Sequence, residues 1–263
     1  MAMVINTNMA SLNAQRHLSG SQSRLAKSME RLATGKRINT GQDDAAGLGI
    51  SSRLGGKIRA LNQSVRNAND GISMAKAGDG ALAEVANMLE RMRELVQQSG
   101  DGALSTTDQS AITLELSSLN TEVKSIRSGT AFNGVSLLKG LDKNFTVGET
   151  DQYNLKVSAI ISTAAKMSGA TAKGFTASSV ENAIDNISKA RGNFGKAITV
   201  LESRAANSAA LAENLSAARS QILDADIAAE TAEMTKANVL QQAGVSILAQ
   251  ANQSPQVVLS LLQ

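Results

Sequence analysis

The chain has 263 residues, 26 Lys and Arg against 23 Asp and Glu, one His and no Cys, so disulfides and thiolate metal sites are excluded and either a reducing or an oxidising compartment is acceptable. The net charge of +3 is interspersed, without the Lys/Arg block that marks a nucleic-acid footprint. Aromatic residues make up 2% of the chain and there is a single proline, Pro255, a composition that suits long helices packed side by side better than a barrel or sandwich.

No apolar run approaches the roughly 18 residues of a membrane span. The N-terminus lacks a basic region followed by an apolar one, so no cleavable signal is expected, and an extracellular location would need a dedicated export route. The first stretch reads as an amphipathic helix: Leu18, Leu25 and Leu32 repeat every seven residues, and Ile5, Met9 and Leu12 extend the stripe. Residues 33–57 hold Gly35, Gly41, Gly47, Gly49, Gly55 and Gly56, which weaken a helix and predict either a plain linker or a structured joint.

From Ile58 the heptads are strong. Ile58, Val65 and Ile72 form one series and Leu61, Ala68, Ala75, Leu82, Leu89 and Val96 the other, with Asp79 breaking the first and Val85 and Met92 carrying the stripe onward. A second helix follows from about Thr107 through Ile112, Leu116, Leu119, Val123 and Ile126, and the short connection predicts an antiparallel return. Residues 130–176 are the β-like part: an Asn133–Gly134 turn, then NFTVG and YNLKVSAI around GETDQ, which predict a small hairpin followed by a polar loop. Val180, Ile187, Phe194, Leu201, Leu215, Ile222 and Ala229 lie seven apart, with Ile184 and Ile198 as partner positions. The closing stretch carries Met234, Leu240, Val245, Leu248, Val258, Leu259, Leu261 and Leu262, with almost no charge after Lys236.

The predicted fold is mainly α: a long antiparallel helical bundle or coiled-coil rod with a small β-hairpin element and the chain termini paired as helices. Chain ends are usually polar and frayed. Ends that carry an apolar seam predict a chain that completes itself by pairing them or by meeting other chains.

At this point AMVINTNMASLNAQRHL, LATGKRINTGQDDAAGLGIS, LERMRELVQQSG, AFNGVSLL and QANQSPQVVLSLLQ, in that order, resemble bacterial flagellin over nearly the whole chain. The resemblance implies a structural subunit, secreted unfolded through the flagellar type III apparatus, that polymerises into the extracellular filament of the bacterial flagellum. It implies an inner terminal coiled-coil domain, 1–43 plus 220–263, and an outer helical rod, 44–219, with the β-hairpin region at about 130–176. The short gap between AFNGVSLL and Val180 matches a short form without large outer domains. Departures lie at Gly41–Gln42, Gly49, Phe194–Gly195–Lys196 and Ile198–Thr199, where the family commonly has other residues.

On this reading Ile5, Met9, Leu12, Leu18, Leu25, Leu32, Leu240, Val245, Leu248, Val258, Leu259 and Leu262 form the polymerisation seam, and the ends are expected to be mobile in the free monomer and helical in the polymer. The implied partners are other flagellin subunits, the flagellar export chaperone, the filament cap and the hook–filament junction protein. A further implied partner is the flagellin-sensing Toll-like receptor of animal hosts, through Arg91, Leu95 and Glu115, the first two sharing one helical face. No cofactor, metal, nucleic acid or membrane span is expected, and no enzyme activity. His17 lacks the second helical histidine of an H-E-x-x-H zinc site and reads as a packing or surface residue. Asp43–Asp44 reads as a hydrogen-bonding or capping pair, and Gly35–Lys36 lacks the spacing of a phosphate loop. Two rival readings are the hook–filament junction protein and a secreted coiled-coil effector or adhesin.

Overall fold

A computed structural model describes residues 8–148, 151–157 and 175–261, the side chains of 157 and 254–261 excepted. The order is α1 (Met9–Thr34), α2 (Ala45–Ser99), α3 (Thr106–Gly129), β1 (Ala131–Phe132), β2 (Val135–Ser136), β3 (Leu141–Thr146), β4 (Gln152–Val157), α4 (Ala177–Leu223) and α5 (Ile227–Leu261). The fold is mainly α with two small antiparallel hairpins. The chain divides into two compact units, 1–56 with 215–263, and 57–214. Both boundaries fall inside long helices, α2 and α4, the first at the end of the glycine-rich stretch 33–57.

Unit 57–214 has a closed core. The heptads place Leu82, Val85, Leu89 and Met92 of α2, Leu116 of α3, and Val180, Phe194 and Leu201 of α4 at 0% exposure. Alongside the expected series on α4, the buried partner positions are Ala183, Ala190 and Ala197, while Ile184 and Ile198 are half-buried. The methyl side chains let α4 lie close to its neighbours, and the isoleucines cover the flank.

Two glycines complete this packing. A β-carbon on Gly78 would stand 2.5 Å from the Phe194 ring, and one on Gly71 would stand 3.0 Å from a Leu201 methyl. Gly71 and Gly78 are seven apart, as are Leu201 and Phe194, so each glycine is the hole for one large knob of the opposed helix. Asp79, which breaks the heptad, faces outward and takes a 2.9 Å bond from Arg191 Nε. That bond holds the Arg191 guanidinium more firmly protonated.

Helix ends follow local chemistry. Ser105 and Asp108 form a reciprocal capping box at the start of α3, and Thr176 and Ser179 do the same for α4. The Asn133–Gly134 turn joins β1 to β2 with φ of 47° and 78°, the left-handed pair that a two-residue hairpin needs. β3 starts at Leu141, earlier than the alternation of NFTVG indicates, and pairs Phe145 with Tyr153 across the hairpin. Leu141 and Leu155 sink into the core. Ser64 donates to the Gly148 carbonyl at 2.7 Å and Asn67 to that of Thr146 at 3.1 Å, fastening the hairpin to α2. Of the loop expected at 163–179, residues 163–174 lie outside the described residues, as do 158–160 of YNLKVSAI, while Ala177–Ser179 already belong to α4.

Filling the Phe194 hole tests this core. Gly78→Ala should lower the stability of the purified protein by about 1–3 kcal/mol, because the ring and both helices must shift. Gly80→Ala, with nothing within 4 Å of its added carbon, should be neutral or slightly stabilising. Urea unfolding followed by circular dichroism distinguishes the two.

Candidate functional site

In unit 1–56 with 215–263, α1 and α5 pair antiparallel. Asn8 Nδ2 donates to the Ala251 carbonyl at 2.8 Å, Ser11 Oγ to Asn252 Oδ1 at 2.9 Å, and Arg31 meets Glu230 at 3.4 Å at the other end. The buried residues of α1 are Ser11, Ala14, Ser21 and Ser28, and among the described side chains of α5 Ala237 is buried. A β-carbon on Gly244 would touch Leu18 at 3.4 Å. Small side chains thus make the contact line, and three serines sit where a seam ordinarily carries leucine.

The expected seam residues consequently divide. Leu18, Leu25, Leu32 and Leu248 flank the contact line and are half-buried. Met9, Leu12, Leu240 and Val245 stay outside it at 58%, 45%, 42% and 54% exposure. The side chains of Ile5, Val258, Leu259 and Leu262 lie outside the described ones. Sequence reading missed Ile227, Val239 and Ile247, which are also exposed, and it missed the serines. A seven-residue repeat of small residues (14, 21, 28) was the available signal. The groove between the two helices, about 470 Å³, runs along Leu18, Ser21 and Arg24 on one side and Leu240, Gly244 and Ile247 on the other, with His17 at its edge.

The joint below the pair is built from hydrogen bonds. Gly35 ends α1 at φ 67°, a left-handed conformation that a β-carbon would strain. The chain then runs beside the α4–α5 connection: Arg37 N donates to the Leu223 carbonyl at 2.7 Å, and Ala225 N to that of Gly35 at 3.0 Å. Arg37 Nη2 adds a bond to the Ile222 carbonyl at 2.9 Å. Residues 33–57 are therefore a structured joint as far as Asp44, and a helix from Ala45 onward despite the glycines. Gly47 has a packing reason to be there, since its β-carbon would stand 2.8 Å from Ile38 Cδ1.

Asp43 is the centre of this joint. Its Oδ2 accepts from Asn39 N at 3.1 Å and from Thr40 N at 3.0 Å, and its Oδ1 meets Lys27 Nζ at 2.7 Å. The Lys27 ammonium first, and then the two backbone donors, hold the Asp43 carboxyl well below the usual carboxylate range. Asp44 instead accepts from Gly47 N at 2.9 Å in the first turn of α2.

Among the residues expected at a receptor contact, Arg91 and Glu115 are joined through Arg91 Nη2 at 3.1 Å, and Glu94 takes Nη1 at 3.0 Å. Leu95 is in the core at 2% exposure, so it shares no solvent face with Arg91. Four residues along a helix turn the side chain by about 40°, enough at the edge of a buried stripe to separate surface from core. Among the described residues there is no group of His, Cys, Asp or Glu that could hold a metal ion, and no helix is long and apolar enough to cross a membrane.

Because the folded carboxyl of Asp43 titrates below its unfolded counterpart, its stabilisation is full above the ordinary carboxylate range and fades as pH falls beneath it. Asp43→Asn should therefore lower the unfolding midpoint at neutral pH, with the gap to wild type narrowing below about pH 4. Thermal unfolding of both proteins across that range reads the difference.

The chain matches the model of the bacterial flagellin N-terminal helical region over residues 5–143 and that of the C-terminal helical region over residues 177–262. It is 37% identical to a flagellin of Bacillus subtilis, covering 99% of this chain and 100% of that one. Identity to a flagellin of Halalkalibacterium halodurans is 40%, over 99% and 100%. Identity to the flagellar filament 33 kDa core protein of Treponema phagedenis is 35%, again over 99% and 100%. Each half of the chain, with both terminal helices in the match, thus has its counterpart in one family, and the chain belongs to the bacterial flagellins.

Proposed function

We propose that this chain is a structural subunit of the bacterial flagellar filament, and that its outer apolar residues on α1 and α5 are covered by other copies of itself. The supporting observation is the exposure of Met9, Leu12, Val239, Leu240, Val245 and Ile247 on a helix pair whose own contact line is made by small residues. Fully burying one such side chain is worth about 1.5–3 kcal/mol. A handful of them against neighbouring copies outweighs the cost of association, whereas the isolated pair leaves them wet. The family reading adds export in an unfolded state through the flagellar type III apparatus, with a chaperone shielding these residues beforehand, and delivery beneath a cap to a filament that starts from the hook–filament junction protein.

A second reading, as ligand of the flagellin-sensing receptor of animals, is favoured by the exposed Arg91–Glu115 ion pair, with Leu95 supporting it from within the core. Side chains already held by each other offer a partner a fixed pattern of charge at small entropic cost.

Two outcomes are expected. Val245→Asp with Ile247→Asp should leave the circular dichroism and melting of unit 57–214 unchanged and abolish seeded filament growth, followed by sedimentation and electron microscopy. Growth of long filaments by the double variant would refute the surface assignment. Arg91→Ala should reduce signalling in receptor reporter cells by at least about ten-fold, which corresponds to roughly 1.4 kcal/mol of contact. Signalling equal to wild type removes the receptor reading.

A further inference from the structure

Unit 57–214 holds a cleft that its own core does not close. It measures about 400 Å³ and lies between α2 and the two hairpins, lined by Asp70, Met74, Phe132, Asn133, Val135 and Phe145. Met74 is buried at its floor, and Phe132, Val135 and Phe145 are half-buried on its walls. Two of the four phenylalanines of the chain therefore keep part of their surface open at one place. Asp70 stands exposed on the rim, one helical turn before Met74, and its carboxylate has no ion pair or hydrogen bond among the described residues. Asn133, left-handed at φ 47°, forms the far rim.

An apolar, aromatic wall that ends in an unpaired carboxylate fits a long aliphatic side chain with a cationic head. The stem covers the Met74 and Val135 surface, the ammonium reaches Asp70, and the ring faces attract the same charge. We propose that this cleft receives an exposed, unpaired lysine of the same unit of a second copy of this chain in the polymer. The inference rests on the filament reading above and adds a contact outside the terminal helices.

Two considerations select that occupant. A filament of identical subunits needs heterologous contacts, in which a surface and its different complement both lie on every copy. The same unit carries Lys76, Lys139, Lys143, Lys189 and Lys196, all exposed and without an ion pair among the described residues. The acceptor and the donor of such a contact are thus both present on one chain, and charge complementarity favours their meeting between copies.

The test is seeded filament growth with purified full-length protein. Wild type must grow first; its failure would strike the filament reading and this contact with it, whereas the variants below strike the contact alone. Given wild-type growth, Asp70→Lys should slow extension by about ten-fold or more through like-charge repulsion, with the monomer melting as wild type does. Asp70→Asn should fall between the two and lose part of the salt dependence. Combining Asp70→Lys with Lys76→Glu, Lys139→Glu, Lys143→Glu, Lys189→Glu or Lys196→Glu in turn should restore growth for one of the five. Extension of Asp70→Lys at the wild-type rate would leave the cleft to a different occupant and overturn the proposal. Slowed extension that none of the five swaps restores would overturn it equally, because the donor would then not be an exposed, unpaired lysine of this unit.

Discussion

The close approach of α1 to α5 is the constraint on which the terminal unit depends. Ala14, Ser21 and Ser28 on one helix, and Ala237 and Gly244 on the other, occupy positions where larger side chains would hold the axes apart. Small residues give up most of the hydrophobic gain of a seam. They obtain in return a short interaxial distance and a fixed register, and Asn8, Ser11, Arg31 and Glu230 mark the ends of that register with polar bonds. The large apolar side chains are thereby displaced to the flanks. A leucine seam would have hidden them within the pair; this seam leaves them available.

Below the pair the same economy holds. The joint between residues 35 and 44 buries little apart from Ile38, at 3% exposure, and relies on backbone bonds to the α4–α5 connection. A hydrogen bond of this kind contributes about 1 kcal/mol net, so the joint is specified more by geometry than by depth of stabilisation. The carboxylate of Asp43 gathers the backbone of Asn39 and Thr40 and the ammonium of Lys27 at one point. Removing a single group there releases several partners at once, whereas most surface ion pairs act alone.

The heptads of α2, α3 and α4 were legible in the sequence because their apolar residues are large, regularly spaced and buried against one another. Leu82, Leu89, Leu116, Phe194 and Leu201 lie where their spacing places them. The terminal helices were legible as helices, but the contact line was not: hydrophobic periodicity weighs leucine and ignores serine, and here serine faces the partner while Leu12 and Val245 face outward. The glycines of 47–56 point to a break when propensity is read alone, yet α2 runs through them, since tertiary packing overrides a cost of about 1 kcal/mol per glycine. Arg91 and Leu95 share a face on a helical wheel only to within the width of a side chain, and the edge of the core passes between them. A single sequence does not draw that edge.

Glycine against a large side chain occurs in both units with opposite consequences. Gly71 and Gly78 are holes filled by Leu201 and Phe194, both fully buried, and around them a third helix and a hairpin complete the enclosure. Gly244 receives Leu18, but no third element among the described residues covers that contact, and Leu18 remains half-buried. The same local device therefore ends in a closed core in one unit and in an open two-helix layer in the other. A two-helix layer cannot remove both faces of its helices from water. Adding bulk to its seam would not help, since Met9, Leu12, Val239 and Val245 lie away from it. What closes such a layer is another layer, and the described residues of this unit supply none. Heptads with low aromatic content suit that requirement, because they repeat the same surface along the helix and allow copies to stack without individually shaped pockets.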